Sequence, residues 1–332
     1  MVTIRLLRPD EARLLSDAIR AAYGETYDVP WVYDRSEVAR RLAQGTLLSA
    51  VALDEDGELL CHAALTRHHA ADLVVHAGQA VTVPAAQGHH LFPRVKHFLS
   101  ELALQHGIVG MYSEVTAAHP YSERANLDLG GHETGFLLGW IPGSVSNEAA
   151  GAGRGRRQSA ALFYLKLRHG HNRPVYVPEQ HRAIVHRILH TCGLRGRLAE
   201  PARQWRLPDR TRTHAETLLG HNTVHVHVVH PGADLGPTLA GIRARLFASG
   251  IDALYVDLPL DVPSTALVAD HVAELGLAFS GIFPNTRADG DVLRLQSLNQ
   301  VAVHADDIVV ASDHGRVLLD YVLEDLARSG AS

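Results

Sequence analysis

The chain of 332 residues carries a formal net charge of -5, with 46% apolar and 20% charged residues. That length accommodates two domains of ordinary size, each able to bury its own core, and the composition excludes a disordered chain. A pI near 6.5 excludes a protein that coats nucleic acid, and no apolar run approaches the length of a membrane span, so a cytoplasmic protein is expected.

Residues 3–7 alternate as a strand, and Pro9-Asp10 opens an amphipathic helix carrying Leu14, Leu15, Ile19 and Ala22. An aromatic loop over 23–33 holds Tyr23, Tyr27, Trp31 and Tyr33, after which Asp34 or Ser36 caps a second helix. Residues 47–53 and 58–67, joined at Asp56-Gly57, read as a hairpin, and 73–83 as the next strand. Pro84 and Gly88 mark a short loop before a helix with Leu91, Val95, Phe98, Leu99 and Leu102 on one face. Such a junction turns free backbone N–H groups toward one point, where the helix dipole favours negative charge; it is a site for a phosphate group. Residues 109–115 form another strand, His119-Pro120-Tyr121-Ser122 starts a short helix ending at Gly130-Gly131, and 132–141 and 160–167 are strands flanking a small-residue loop over 143–159.

The order of these elements, with the strand, Pro, Gln, Gly and helix succession, resembles the GNAT acyltransferases, whose pyrophosphate loop follows Arg/Gln-x-x-Gly-x-Gly/Ala. Gln87 matches the first position and Gly88 sits where a further Gly is common, while His90 takes the fixed Gly position and Phe92 the Gly/Ala position. The resemblance covers roughly residues 3–167 and implies a mixed α/β fold. It also implies acetyl-CoA, or another acyl-CoA, held at Gln87, Gly88, His89, His90, Leu91 and Phe92, with the pantetheine arm pairing as an extra strand along Val81 and Val83. The strands carrying 80–83 and 109–115 would part to admit it. The implied activity is N-acyl transfer, by direct attack of a small-molecule amine in a ternary complex.

Glu114 and His119 are placed where a base or an acceptor-binding group would sit, and Tyr121 and Ser122 are the nearest candidates for a proton donor to the leaving thiolate. A salt-bridged strand end and a helix cap are the ordinary roles of Glu114 and His119. The Tyr often found later in this family's helix is replaced by the run Asn126, Leu127 and Asp128. The aromatic loop would line the acceptor side. Gly takes positive φ at little cost whereas His90 brings a Cβ and a ring. Two readings therefore stand: an enzyme in which His89 or His90 adds a donor to the phosphates, and a GNAT-fold ligand-binding or regulatory protein without acyl transfer.

After a linker at 168–174 the plan repeats more faintly, with helices over 177–192, 233–249, 263–275 and 312–327 and strands over 223–230, 253–258, 278–284 and 292–298. AELGLAFSGIFP answers LDLGGHETGFLLGWIP, the mark of an internal duplication. Two tandem GNAT-like domains are expected, 1–168 with the CoA site and 169–332 a degenerate copy whose junction HPGADLGPTL places Asp234 where it would repel a pyrophosphate. Tandem copies can replace a homodimer interface, so a monomer is expected, with a homodimer left open.

The 23 histidines include His68-His69, His89-His90, and His186 with His190 near Cys192. Without H-E-x-x-H or a carboxylate at a diagnostic spacing, no metal site is expected. Arg154, Arg156 and Arg157 read as part of a solvated loop, and no nucleic-acid or membrane partner is expected. Cys61 and Cys192 are too few for a disulfide framework.

Overall fold

The computed structural model describes residues 2–67, 69, 72–145, 155–268, 272–287 and 290–330. His68, Arg154, most of the small-residue loop and residues 269–271 of the helix expected over 263–275 lie outside the described residues.

The first half supplies β1 (Thr3–Leu6), β2 (Leu47–Leu53), β3 (Leu59–Thr66), β4 (Val74–Thr82), β5 (Gly110–Thr116), β6 (His132–Ile141) and β7 (Gln158–Lys166). They lie side by side in the order β1-β2-β3-β4-β5-β7-β6, antiparallel except for the parallel pair β4 and β5. Parallel neighbours need a crossover, and α3 (Leu91–Gln105) provides it. On one face α1 (Arg13–Tyr23) and α2 (Arg35–Gln44) bury Leu15, Ile19 and Val38 against Val51, Ala64 and Val81. On the other, α3 buries Leu91, Val95 and Leu99 against Ala52, Cys61, Val75 and Met111. Asp34 caps α2 by accepting from the N–H groups of Ser36 and Glu37, and left-handed Gly45 ends it. The last helix of this half is α4 (Tyr121–Asp128).

In the second half, β8 (Arg173–Val175) and β9 (Gly196–Leu198) make a small parallel pair connected through α5 (Arg182–Thr191). Next come β10 (Arg212–Leu218), β11 (Thr223–His230), α6 (Leu235–Ala248), β12 (Ala253–Pro259), α7 (Ser264–Val268), β13 (Ala278–Phe283), β14 (Val292–Leu298) and α8 (Asp313–Ser329). Read outward from the centre, β6-β7-β5-β4-β3 is answered by β13-β14-β12-β11-β10, with the same parallel and antiparallel relations. Register makes the correspondence residue-specific. Gly110 opposes Val74 as Ala253 opposes Thr223, so Tyr112 answers Tyr255 and Glu114 answers Asp257.

The two halves do not form separate sheets. They share one sheet of 12 strands, joined where β6 meets β13 through Gly135 and Gly281. Close approach demands glycine here, because a Cβ on Gly135 would stand 2.2 Å from the Ser280 carbonyl oxygen. Further along β6, second-half side chains satisfy the backbone: the Leu138 N–H donates to Gln296 Oε1 at 2.9 Å, and the Tyr255 hydroxyl donates to the Leu138 carbonyl at 3.2 Å. Arg157, expected in a solvated loop, is instead tied across the halves to Asp252 at 2.8 Å.

Two buried carboxylates tie α4 and β6 to the start of α8. Glu123 Oε2 accepts from the Ala311 N–H at 2.8 Å, and Glu133 Oε1 accepts from the Ser312 hydroxyl at 2.7 Å. Burial, with repulsion from Glu133 added, raises Glu123 to about 7 against the opposing Ala311 hydrogen bond. An acid with a raised folded-state pKa favours folding in its protonated form, so its contribution is full below the ordinary glutamate value and is lost as pH rises through about 7. Glu123→Gln keeps an acceptor for Ala311. It should raise the thermal midpoint at pH 8 and leave it near the wild-type value at pH 5, as read by scanning calorimetry.

Candidate active site

β4 and β5 pair at Val74–Gly110, Val75–Met111 and His76–Tyr112 and then part, although β4 runs on to Thr82 and β5 to Thr116. The parting coincides with a bulge in β4. His62 opposes Val81 and Ala64 opposes Gly78, which leaves an extra residue in β4, and Gln79 takes a φ of 49°. The left-handed conformation costs a non-glycine residue roughly 1–2 kcal/mol, and fully buried His62 holds it in place. His62 Nδ1 donates to the Gln79 carbonyl at 2.6 Å, and Nε2 accepts from the Ser49 hydroxyl at 2.5 Å. The carbonyl can only accept, which fixes this tautomer. On the other side of the bulge the Tyr27 hydroxyl takes a backbone hydrogen bond from Gln79. Beyond it Ala80 is exposed and the backbone edge of β4 facing β5 is unpaired.

At the end of this edge Pro84–Ala86 makes one tight turn, Gly88 has a φ of 80° and His90, the residue capping α3, a φ of 53°. The position at which the GNAT pattern has its fixed Gly thus keeps the left-handed backbone that Gly favours, with a histidine carrying it. Gln87, Gly88, His89 and His90 are all exposed, and nothing lies within 4 Å of where a Cβ on Gly88 would stand. The N–H groups of Gly88 and His90 make no backbone hydrogen bond among the described residues. Those of Leu91 and Phe92 lie in the first turn of α3, where no helical acceptor exists. Four donors within five residues, at the positive end of a 15-residue helix, suit a diphosphate.

On the α1–α2 face of the same gap, β5 presents Tyr112 and Glu114. Glu114 Oε2 lies 2.8 Å from His76 Nε2, with the carboxylate side chain 14% exposed. Burial alone would raise the Glu114 pKa, but His76 and then Arg294 of β14 outweigh it and hold the group below the usual glutamate value. Arg294 is itself clamped in a bidentate pair with Asp257, at 2.7 and 2.8 Å, and lies 4.2 Å from the centre of the Phe283 ring. That ring packs edge-on to Tyr112, which lies against His76. Second-half residues therefore form part of the surroundings of Glu114.

The other sequence-selected residues are placed less centrally. His119 has a buried Nδ1 without a hydrogen-bond partner among the described residues, burial lowers its pKa, and its ring packs on Tyr121. Tyr121 is 73% exposed, and the Ser122 carbonyl accepts from Asn126 Nδ2 at 2.8 Å. In the aromatic loop Tyr23 packs at a tilt against Tyr27, Tyr33 bonds to the backbone of Tyr27 and Gly24, and Trp31 lies under Arg41. Tyr27 reaches the bulge; Tyr33 and Trp31 pack the loop. Val81 is buried toward α1, and Val83 packs toward α3. His76, Arg294 and Lys96, which the structure adds to the cleft, leave no motif. The one signal for the first two is strand register, which couples residues far apart in sequence.

The second half closes its equivalent gap. β11 and β12 stay paired as far as His227–Asp257, two residues beyond the point where β4 and β5 part. A cavity of about 360 Å³ beyond their ends is lined by His230, Pro231, Asp261 and Trp205. Asp234 caps α6 where His90 caps α3, and its carboxylate accepts from the Thr211 N–H at 2.6 Å. Among the described residues no group of His, Cys, Asp and Glu is arranged to hold a metal, and no helix is long and apolar enough to cross a membrane.

No family model matches the chain, and no curated protein does. Among solved structures it is similar to a GNAT superfamily phosphinothricin acetyltransferase from Sinorhizobium meliloti in complex with acetyl-CoA, at 21% identity over 51% of this chain and 90% of that one, with a TM-score of 0.42. It is also similar to mutant forms of the spermidine/spermine N-acetyltransferase SpeG from Vibrio cholerae, at 15% identity over 50% of this chain and 95% of that one, with a TM-score of 0.40. The order of the first-half elements along the chain, and the parting of the strands that carry residues 80–82 and 110–116, are those expected from the sequence.

Replacing His62 by Leu leaves the Gln79 carbonyl and the Ser49 hydroxyl buried without partners. The expected loss is about 2–4 kcal/mol in urea unfolding at neutral pH. Burial lowers the His62 pKa to about 4, so its contribution is present above the ordinary histidine value and lost as pH falls toward 4. The difference between wild type and variant should therefore shrink on acidification over that range.

Proposed function

We propose that the chain is an acyl-CoA-dependent N-acyltransferase that moves an acyl group, acetyl in the simplest case, to the amine of a small molecule. The observation that carries this reading is the parting of β4 from β5 beside a loop of unpaired N–H donors. The unpaired edge of β4 beyond Gln79 is suited to bind an amide-containing arm as an added strand. Gln87, Gly88, His89, His90, Leu91 and Phe92 form the diphosphate cradle. The donor supplies an activated thioester, and the chain's residues supply position and charge.

An amine must be neutral to attack, so a base must take its proton. Glu114, ionised and paired with His76, is the group for that role, with His76 as the relay to solvent. A backbone N–H in the gap stabilises the carbonyl oxygen as negative charge develops. Asp257, the counterpart of Glu114, is neutralised by Arg294 and has no such role. We assign residues 1–168 as the competent copy and 169–332 as the degenerate copy that encloses the acceptor from the seam, an arrangement that favours a monomer.

Calorimetric titration with CoA and acetyl-CoA tests this reading. Wild type should bind with micromolar affinity. Gly88→Asp, which adds a negative charge at a left-handed position, should lose at least about thirtyfold, or roughly 2 kcal/mol, while remaining folded. Absence of binding by folded wild-type protein would instead favour a ligand-binding protein without acyl transfer. With an acceptor in hand, Glu114→Gln should lower kcat by about 10²–10⁴ with little change in acetyl-CoA affinity; unchanged kcat would return Glu114 to a structural role.

A further inference from the structure

Lys96 is a buried lysine without a carboxylate partner among the described residues. It is 5% exposed, and its ammonium donates to Asn126 Oδ1, the one hydrogen bond it makes among the described residues. Asn126 is held in turn by its bond to the Ser122 carbonyl. The location is specific. α3 packs on β2, β3 and β4, whereas α4 packs on β5 and β7. The Lys96–Asn126 bond therefore joins the helix on one lip of the gap to the helix on the other, across the face opposite Glu114.

The internal repeat shows that packing does not require this charge. α3 begins Leu91-Phe92-Pro93 and α6 begins Leu235-Gly236-Pro237, which sets Lys96 against Ala240. Leu129-Gly130 corresponds to Leu275-Gly276, both glycines with positive φ, which sets Asn126 against Val272. The copy with a closed gap carries an apolar pair, and the copy with an open gap carries a lysine bonded to an amide. An unpaired lysine costs several kcal/mol to bury as a cation, so its presence at the gap calls for a chemical use.

We propose that Lys96 is the proton donor to the thiolate released from CoA in the acyl transfer described above, on which this assignment rests. The balance is complete without any further reactant. The N–C bond forms and the C–S bond breaks; the amine proton leaves to Glu114 on one face of the gap, and the sulfur takes a proton from Lys96 on the other. Lys96 is then reprotonated from solvent. Burial, the one cause acting on it, brings its pKa down to about 7, which makes the ammonium an effective acid near neutral pH. Asn126 is a positioning residue that orients the ammonium.

The test uses CoA itself and needs no acceptor. The thiol of CoA bound to the full-length protein is titrated by its ultraviolet thiolate absorption, alongside calorimetric affinities, for wild type, Lys96→Met, and the double variant Lys96→Ala, Asn126→Val, which copies the second-half pair. Thiolate and ammonium stabilise each other, so the bound thiol and Lys96 titrate as a coupled pair, and thiolate absorption in wild type should appear about one pH unit or more below its position in both variants. CoA affinity below the thiol pKa should stay within about threefold. The double variant should unfold at or above the wild-type temperature, which guards against a folding failure. Tight CoA binding with the same thiol titration in all three proteins would overturn the role of Lys96 and leave the donor site standing. No CoA binding by wild type would overturn both.

Discussion

The cleft depends on a buried imidazole that holds a strand out of register. A parallel pair such as β4 and β5 would ordinarily zip to its ends, since each further pair satisfies backbone groups otherwise left to water. Here Gln79 is forced into a left-handed turn, and the extra residue swings the rest of β4 away. His62 makes that turn tolerable by taking the Gln79 carbonyl, and Ser49 orients His62. The gap, the exposed backbone beyond it and the approach of the chain to the Gly88 loop all follow. A strained position supported from beneath by a satisfied polar network is a common way for a fold to keep a functional opening.

The two halves share a strand plan and differ at each place where chemistry would occur. In the first half the strands part after His76, the helix cap is His90, and the lips of the gap carry Lys96 and Asn126 on one face and Glu114 with His76 on the other. In the second half the strands remain paired two residues longer, the cap is Asp234, the lips carry Ala240 and Val272, and Asp257 is quenched by Arg294. Arg294 also acts on Glu114. The second half thus contributes to the electrostatics of the first-half cleft, and the glycines at the seam allow the approach this requires.

Much of the fold was legible because periodic apolar residues mark its strands and helices. Most first-half elements stand within a residue or two of their expected bounds, although α1 starts at Arg13 after a separate tight turn over Pro9–Glu11, and the repeat between residues 127–142 and 273–284 includes the seam glycines without revealing that they meet. β10 was not legible: it is an edge strand largely exposed on both faces, and RTHAETL carries no apolar alternation. The bulge left no letter, because Gln79 adopts a conformation usually signalled by Gly. Lys96 falls within an amphipathic helix where a lysine reads as solvent-facing, and only tertiary packing against α4 buries it. Glu114 was selected from its strand position alone. Its partners come from β4 and from a strand about 180 residues later, which no local pattern connects. Arg157 was misread for the same reason, since Asp252 is adjacent to it only in three dimensions.

The most direct test of the central claim, that the parted edge of β4 receives the donor, is amide hydrogen exchange with and without acetyl-CoA. The account predicts slowed exchange at Ala80 and Thr82 and at Gly88, His90, Leu91 and Phe92, because those N–H groups gain partners in the complex, whereas the Val83 N–H already donates to the Leu60 carbonyl and the His89 N–H to that of Ala86. Protection confined to the second-half cavity around His230 and Val262, or no change along β4 under conditions that saturate binding, would contradict it.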